Sequence, residues 1–184
     1  QGRKDKGRMG RVSACAPGVA WAPALHVVTA TSALLSRAKL AGIEVPAARW
    51  MAVSKFAQKI FPQPGIAFGD AHAAIAHAFA GETEALKRLK SDATGPAGDL
   101  VRRLAEAFDA IAAERWGDAI AHLTPAMAEH ERLGGSRAQR DLLEYAYLNA
   151  LLKLGAADEA RRLLALRRPA KVQAEAIAEL RQTH

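Results

Sequence analysis

From Ala24 onward the chain reads as short amphipathic helical segments punctuated by glycine and proline, and no stretch alternates apolar and polar residues over the length of a strand. The first segment runs from about Ala24 to Ala41 and stops at Gly42, since glycine can take the left-handed conformation that closes a helix. A second opens at Pro46 and puts Trp50, Val53, Ala57 and Ile60 on one face before Phe61-Pro62-Gln63-Pro64-Gly65 breaks it. A third spans Asp70 to Ala80 and a fourth Thr83 to Ser91, with Gly81 between them. Gly95-Pro96 introduces a fifth, striped by Leu100, Leu104, Phe108 and Ile111. The sixth covers about Trp116 to Leu133 and is ended by Gly134-Gly135. Ser136 and Gln139 have capping-box spacing at the head of a seventh, which reaches Leu154. Asp158 to Arg167 makes an eighth, and Pro169 ends it or starts a last, weakly amphipathic one. The fold class expected is all-α.

Composition says how such helices pack. Half the residues are hydrophobic but only 5% are aromatic, so apolar area comes mainly from Ala and Leu, both strong helix formers. Small residues favour close helix–helix contact over a β-sandwich, and 184 residues can bury a sizeable core. Residues 24–184 are expected to form a helical repeat domain, and residues 1–23 a basic, largely irregular tail. Arg3, Lys4, Lys6, Arg8 and Arg11 face a single acid, Asp5, so more than half of the net charge of +7 sits in that tail. The basic character is thus not a property of the fold, and a nucleic-acid partner is not expected.

Cys15 is the only cysteine, which excludes an internal disulfide and a thiolate metal cluster and fits a reducing, cytoplasmic location. No run of about 18 apolar residues exists, so no membrane-spanning helix is expected. The basic start followed by Val12 to Ala30 has the outline of a secretory signal, and Val12-Ser13-Ala14-Cys15 that of a lipoprotein cleavage box. Charged residues precede that box, however, and Pro17, Gly18, Pro23 and His26 interrupt the apolar stretch, so no signal is expected.

Pairing the helices exposes a repeat. Ala85-x3-Leu89, Ala119-x3-Leu123 and Ala160-x3-Leu164 align as second helices, with starts 34 and then 41 residues apart. The first helices follow: Ala73 and Ala76, Ala107 and Ala110, Leu148 and Leu151 occupy equivalent positions. A period of 34 is that of tetratricopeptide pairs, and the seven extra residues correspond to about two helical turns. The expected architecture is therefore antiparallel helix pairs stacked as a short tetratricopeptide-like solenoid, with a plain helical bundle as the rival. The family's full pattern of Trp, Leu-Gly and Tyr in the first helix is absent.

Two blocks carry a narrower likeness: Phe68-Gly69-Asp70-Ala71-His72-Ala73 followed by Ala80-Gly81, and Gly134-Gly135-Ser136-Arg137-Ala138-Gln139-Arg140-Asp141. Together with Ser32-Ala33-Leu34-Leu35 and Ala160-Arg161-Arg162-Leu163-Leu164, they resemble the C-terminal half of the tetratricopeptide repeat protein 38 family over about Val28 to Pro169. The resemblance implies a helical-repeat fold and brings no activity with it.

Two functions compete. In one, the chain is an interaction module whose first helices line a concave groove for a protein or peptide, with His72, Asp109, Glu144 and Asn149 as lining. A shortened stack also exposes an apolar end face, so self-association is expected as well. In the other, Asp70, His72, Gln139, Arg140 and Asp141 converge into a small-molecule or catalytic site, with Arg140 holding a carboxylate or phosphate and His72 serving as acid or base. The structural alternative for these residues is that Asp70 caps a helix, His72 makes a half-buried hydrogen bond, and Arg140 with Asp141 fixes one pair on the next.

His72 and His77 are five residues apart, which puts them about 140° apart around a helix and argues against a shared metal. Neither metal nor cofactor is expected, because no phosphate loop, dinucleotide fingerprint or nucleophile elbow is present. Gly134-Gly135 precedes a helix whose N-terminus could take an anion, although such glycines more often allow a sharp turn. Trp116 is expected to pack at the junction of its pair.

Overall fold

The chain's glycine and proline punctuation sets where its helices stop. In a computed structural model the described residues, 21–166, form α1 (Trp21–Leu40), α2 (Ala47–Ile60), α3 (Ala67–Ala80), α4 (Thr83–Asp92), α5 (Gly98–Ala112), α6 (Trp116–Met127), α7 (Arg137–Lys153) and α8 (Ala157–Leu166), with a 3-10 turn at His130–Leu133 and no strand. The expected tail as far as residue 20, Cys15 and the helix beyond Pro169 lie outside the described residues. Among the described residues, no helix is long and apolar enough to cross a membrane.

The local signals act as the chemistry requires. Gly81 sits at φ +70° and its N–H donates to Ala78 O at 3.1 Å, while the Glu82 N–H donates to His77 O at 2.9 Å. This left-handed closure turns the chain from α3 into α4 within two residues. At the head of α7 the Ser136 hydroxyl accepts from the Gln139 N–H at 3.3 Å and the Gln139 side chain accepts from the Ser136 N–H at 2.8 Å, completing the capping box.

Three boundaries depart from expectation. Helix α1 already includes Trp21 and Ala22, so Pro23 lies within helical residues and does not break the helix. Helix α3 begins at Ala67, three residues before Asp70. Asp70 therefore stabilises the start from inside the first turn, accepting the Gly65 N–H at 2.8 Å. Helix α6 ends at Met127, not Leu133, and carries Pro125 inside its last turn. The chain resumes as the 3-10 turn, where Arg132 bonds both Asp99 oxygens, at 2.7 and 3.1 Å, together with Glu129 and the Pro96 carbonyl. That guanidinium ties the turn to the start of α5.

The helices pack directly on one another: α3 against α4 and α5, α5 against α6, α6 against α7, and α7 against α8. The positions aligned by the repeat are the ones that disappear from solvent. Ala73, Ala76, Ala85 and Leu89 are buried, as are Ala107, Ala110, Ala119 and Leu123, and then Leu148, Leu151 and Ala160, whereas Leu164 is only half-buried. One contact goes beyond a nearest-neighbour stack. Helix α1 packs on α2, on α3 and also on α7, and so reaches from the first pair to the last.

Gly135 shows how tight this packing is. At φ +76°, a Cβ added there would meet the Phe68 ring at 2.6 Å. Gly135→Ala is expected to cost about 2–4 kcal/mol, from the left-handed backbone plus displacement of the ring. Gly155→Ala, at φ +83° in open space, should cost only about 1–2 kcal/mol. Urea unfolding of both variants checks the difference; equal losses would mean that the Phe68 contact is slack.

Candidate functional site

The five polar residues singled out by sequence do not meet around an open pocket. His72, Gln139 and Arg140 border one void between α3 and α7, together with Phe68, Leu133 and Leu143, but its volume is about 10 Å³. A space that small barely admits a water molecule. His72 Nδ1 lies 2.8 Å from Phe68 O and its ring tilts against the Phe68 ring at 4.5 Å. Burial lowers the His72 pKa, and the positive Arg37 adds to the effect, against the opposing hydrogen bond to Phe68. Arg140 donates to Gly135 O at 2.6 Å, Gln139 is engaged in the capping box, and Asp141 is half-buried. Asp70 faces a different cavity altogether. Among the described residues, no group of three or more His, Cys, Asp or Glu side chains could hold a metal ion.

A cleft of about 410 Å³ opens where the C-terminal ends of α1, α3 and α5 meet α7. Phe79, Phe108, Ile111, Trp116 and Leu142 line it with apolar surface, and Lys39, Glu44, Glu114 and Lys153 add charge. Trp50 stacks behind Phe79 with centroids 4.8 Å apart, and Lys39 Nζ lies 5.4 Å over the same ring. Of the four expected groove residues, Asn149 lines this cleft, whereas Asp109 pairs with Arg115 at 3.2 Å, His72 is buried, and Glu144 is half-buried outside the lining. Trp116, expected only to pack at a helix junction, also contributes a wall.

A second cavity, of about 580 Å³, lies between α1, α2, α3 and α4. Asp70, Ala73 and His77 line it from one face of α3, Gln58 from α2 and Arg88 from α4. Behind this wall His77 Nδ1 lies 2.7 Å from Ser54 Oγ, and Ser54 is fully buried. Gln58 Nε2 donates to Ser54 Oγ at 3.3 Å and to Glu82 at 3.4 Å, while Arg88 donates to Gln58 Oε1 at 3.2 Å. Burial pulls the His77 pKa down to about 4, opposed by the negative Glu82 and reinforced by Arg88. The ring is therefore neutral at pH 7. Asp70 is pushed the other way, its pKa raised by burial against the amides of Gly65 and Ile66 that stabilise its charge.

Sequence reading missed Ser54, Gln58, His77 and Arg88 as a group. The available signal was the i, i+3, i+7 placement of Asp70, Ala73 and His77 on one helix face. Ser54→Ala is expected to cost about 1–3 kcal/mol, because it leaves a buried imidazole nitrogen without its partner. Urea denaturation of the variant measures the loss; a cost below about 0.5 kcal/mol would show that the hydroxyl contributes little.

Compared with protein-family models, with curated proteins and with solved structures, the chain matches none.

Proposed function

We propose that this protein is a helical-repeat interaction module that holds a peptide or protein segment in the cleft at the ends of α1, α3, α5 and α7. The observation that carries the reading is the cleft's lining: an aromatic and aliphatic floor of Phe79, Phe108, Trp116 and Leu142 beside charges of both signs. Interface cores favour aromatic anchors, with polar groups at the edge fixing orientation. Likeness to the tetratricopeptide repeat protein 38 family, a solenoid-like order of the pairs, self-association and a cytoplasmic setting belong to the same proposal. The repeat of buried Ala and Leu positions supports the stacking, while the reach of α1 to α7 makes the groove shorter than that of an open stack.

The alternative, a small-molecule or catalytic site around Asp70, His72 and Arg140, has less support. The void beside His72 and Arg140 is about 10 Å³, and Asp70 lies outside it.

Site-specific photo-crosslinking tests the proposal. A crosslinker at Asn149 should capture a discrete polypeptide from native lysate, and one at exposed Lys87 on α4 should not. Adding Lys39→Glu and Lys153→Glu should weaken capture about tenfold by reversing the charge beside the floor. Equal capture from both positions, or capture indifferent to the charge reversal, would remove the cleft as the binding surface.

A further inference from the structure

Helix α1 is polar inside and apolar outside. Among its described side chains, Val28, Thr29, Ser32 and Ser36 are the buried ones, and three of these carry hydroxyls. Thr29 and Ser36 donate to the helix's own carbonyls, His26 O at 3.3 Å and Ser32 O at 2.7 Å. Pro23, His26, Val27, Ala30 and Leu34 are exposed and share one sector of about 100° around the axis. Val27 is 48% and Leu34 66% exposed. A surface helix of a lone chain turns its apolar stripe to the core and its polar face to water. Helix α1 does the reverse, and from Ala22 to Ser36 it holds no Asp, Glu, Lys or Arg to keep the outer face wet.

Charge decides what can cover this strip. A partner that set an acid or a base against it would bury that charge without a counter-ion, whereas a second copy brings the same uncharged face. Arg37 is the one charge in line with the strip, at its C-terminal end. Two strips laid parallel would set the two Arg37 residues against each other. Laid antiparallel about a two-fold axis between Ala30 and Thr31, they hold them about 20 Å apart, beyond the screening length of physiological salt. The same register seats Val27 of each copy on Leu34 of the other, because both stand equally far from the axis. It also leaves the small Ala30 at the centre, where the helices come closest. Helix α1 has 20 residues and so is about 30 Å long. A strip of that length and about 10 Å wide covers roughly 300 Å² per copy, well under the ~800 Å² of a stable interface, which makes the association weak and concentration-dependent.

We propose that two copies of this chain associate antiparallel through the outward face of α1, with Val27, Ala30 and Leu34 at the contact. The inference rests on the self-association included in the functional reading and gives it a surface. Ser36, Lys39 and Leu40, which α1 contributes to the cleft, lie outside the strip, so the cleft stays open in the dimer.

Sedimentation equilibrium of the full chain from about 5 μM to about 1 mM tests this, with a dimer expected at a Kd of about 100 μM. Raising salt from about 0.1 M to about 1 M should not weaken it, because no ion pair crosses the strip. Leu34→Glu, an exposed change whose folding circular dichroism checks, should weaken the dimer at least tenfold. Leu154→Glu removes another exposed leucine, at the end of α7, and should leave the dimer unchanged. Disulfide trapping in a Cys15→Ser background fixes the register without depending on the charge variants. Ala30→Cys should link two copies under oxidation, and Leu34→Cys alone should not, since its copies stand about 10 Å apart along the helices. A monomer at every concentration, a dimer kept by Leu34→Glu or lost in Leu154→Glu, or better linkage through Leu34→Cys than through Ala30→Cys would each overturn the proposal. So would a monomer that binds phosphatidylcholine vesicles through this strip, which would make it a membrane face. Capture through Asn149, measured on the same Leu34→Glu variant, should be unchanged, so the dimer and the cleft stand or fall separately.

Discussion

Trp50→Ala should destabilise the protein by about 3–5 kcal/mol, the usual cost of removing a large aromatic side chain from a packed core. Trp50 is 3% exposed and joins α2 to the main core through its stack on Phe79 of α3. Truncation removes that stack and leaves a cavity in a core cluster rich in alanines such as Ala71 and Ala74, which have no side-chain torsion to adjust and so fill space poorly. Against a total stability of order 5–15 kcal/mol, the variant should retain helical circular dichroism but unfold at much lower urea. Trp50→Phe keeps an aromatic face on Phe79 and should recover at least half of the loss. The experiment also touches function, since Phe79 is part of the cleft floor and loses its backing in the variant. A loss below about 1 kcal/mol for Trp50→Ala would mean that α2 is not fixed by this contact.

Acidification from pH 7 to pH 4 should remove about 3 kcal/mol of stability through His77 alone, taking 1.36 kcal/mol for each unit between its unfolded and folded pKa values. The folded value is about 4 and the unfolded value 6.5, so the unfolded chain binds the proton first. Stability is therefore fully present above pH 6.5 and is lost progressively as pH falls through the folded value. His72, also lowered by burial and by Arg37, adds loss of the same sign. Asp70 opposes it, since its raised pKa makes the fold favour the protonated acid as pH drops toward the carboxylate range. The carboxylates of Glu84 and Asp99, lowered by Lys87 and Arg132 from 4.5 and 3.8, respond only from the acidic end of the histidine window downward. Urea midpoints at pH 7, 6, 5 and 4 should fall steadily, and His77→Gln should flatten the profile between pH 6.5 and 4. A midpoint constant over that interval would show that the imidazole titrates as freely as in the unfolded chain.

The sequence by itself determined the helices and most of their ends. Capping at Ser136 and Gln139 and closure at Gly81 are local: each depends on residues within one or two turns, and each is found where the spacing put it. Helix α6 is shorter than its amphipathic pattern suggested, because the residues from His130 to Leu133 form a separate 3-10 turn. Part of the polar cluster was legible too, since His72, Gln139 and Arg140 do border one void, but nothing in the spacing told that the void is almost closed.

Only the tertiary structure decided which faces meet and what space is left between them. Ser54 and His77 are separated by 23 positions, and Gln58 and Arg88 by 30, so their contacts depend on how α2, α3 and α4 are rotated about their own axes. One residue of register turns a helix face by about 100°, which is enough to move His77 from a cavity wall to solvent. The reach of α1 to α7 is likewise set by packing across the whole chain, and it is what bounds the cleft at Lys39 and Leu40. Local hydrogen bonding and steric preference specify a helix end within a few residues, whereas a cavity is the remainder left after every helix has buried its apolar stripe.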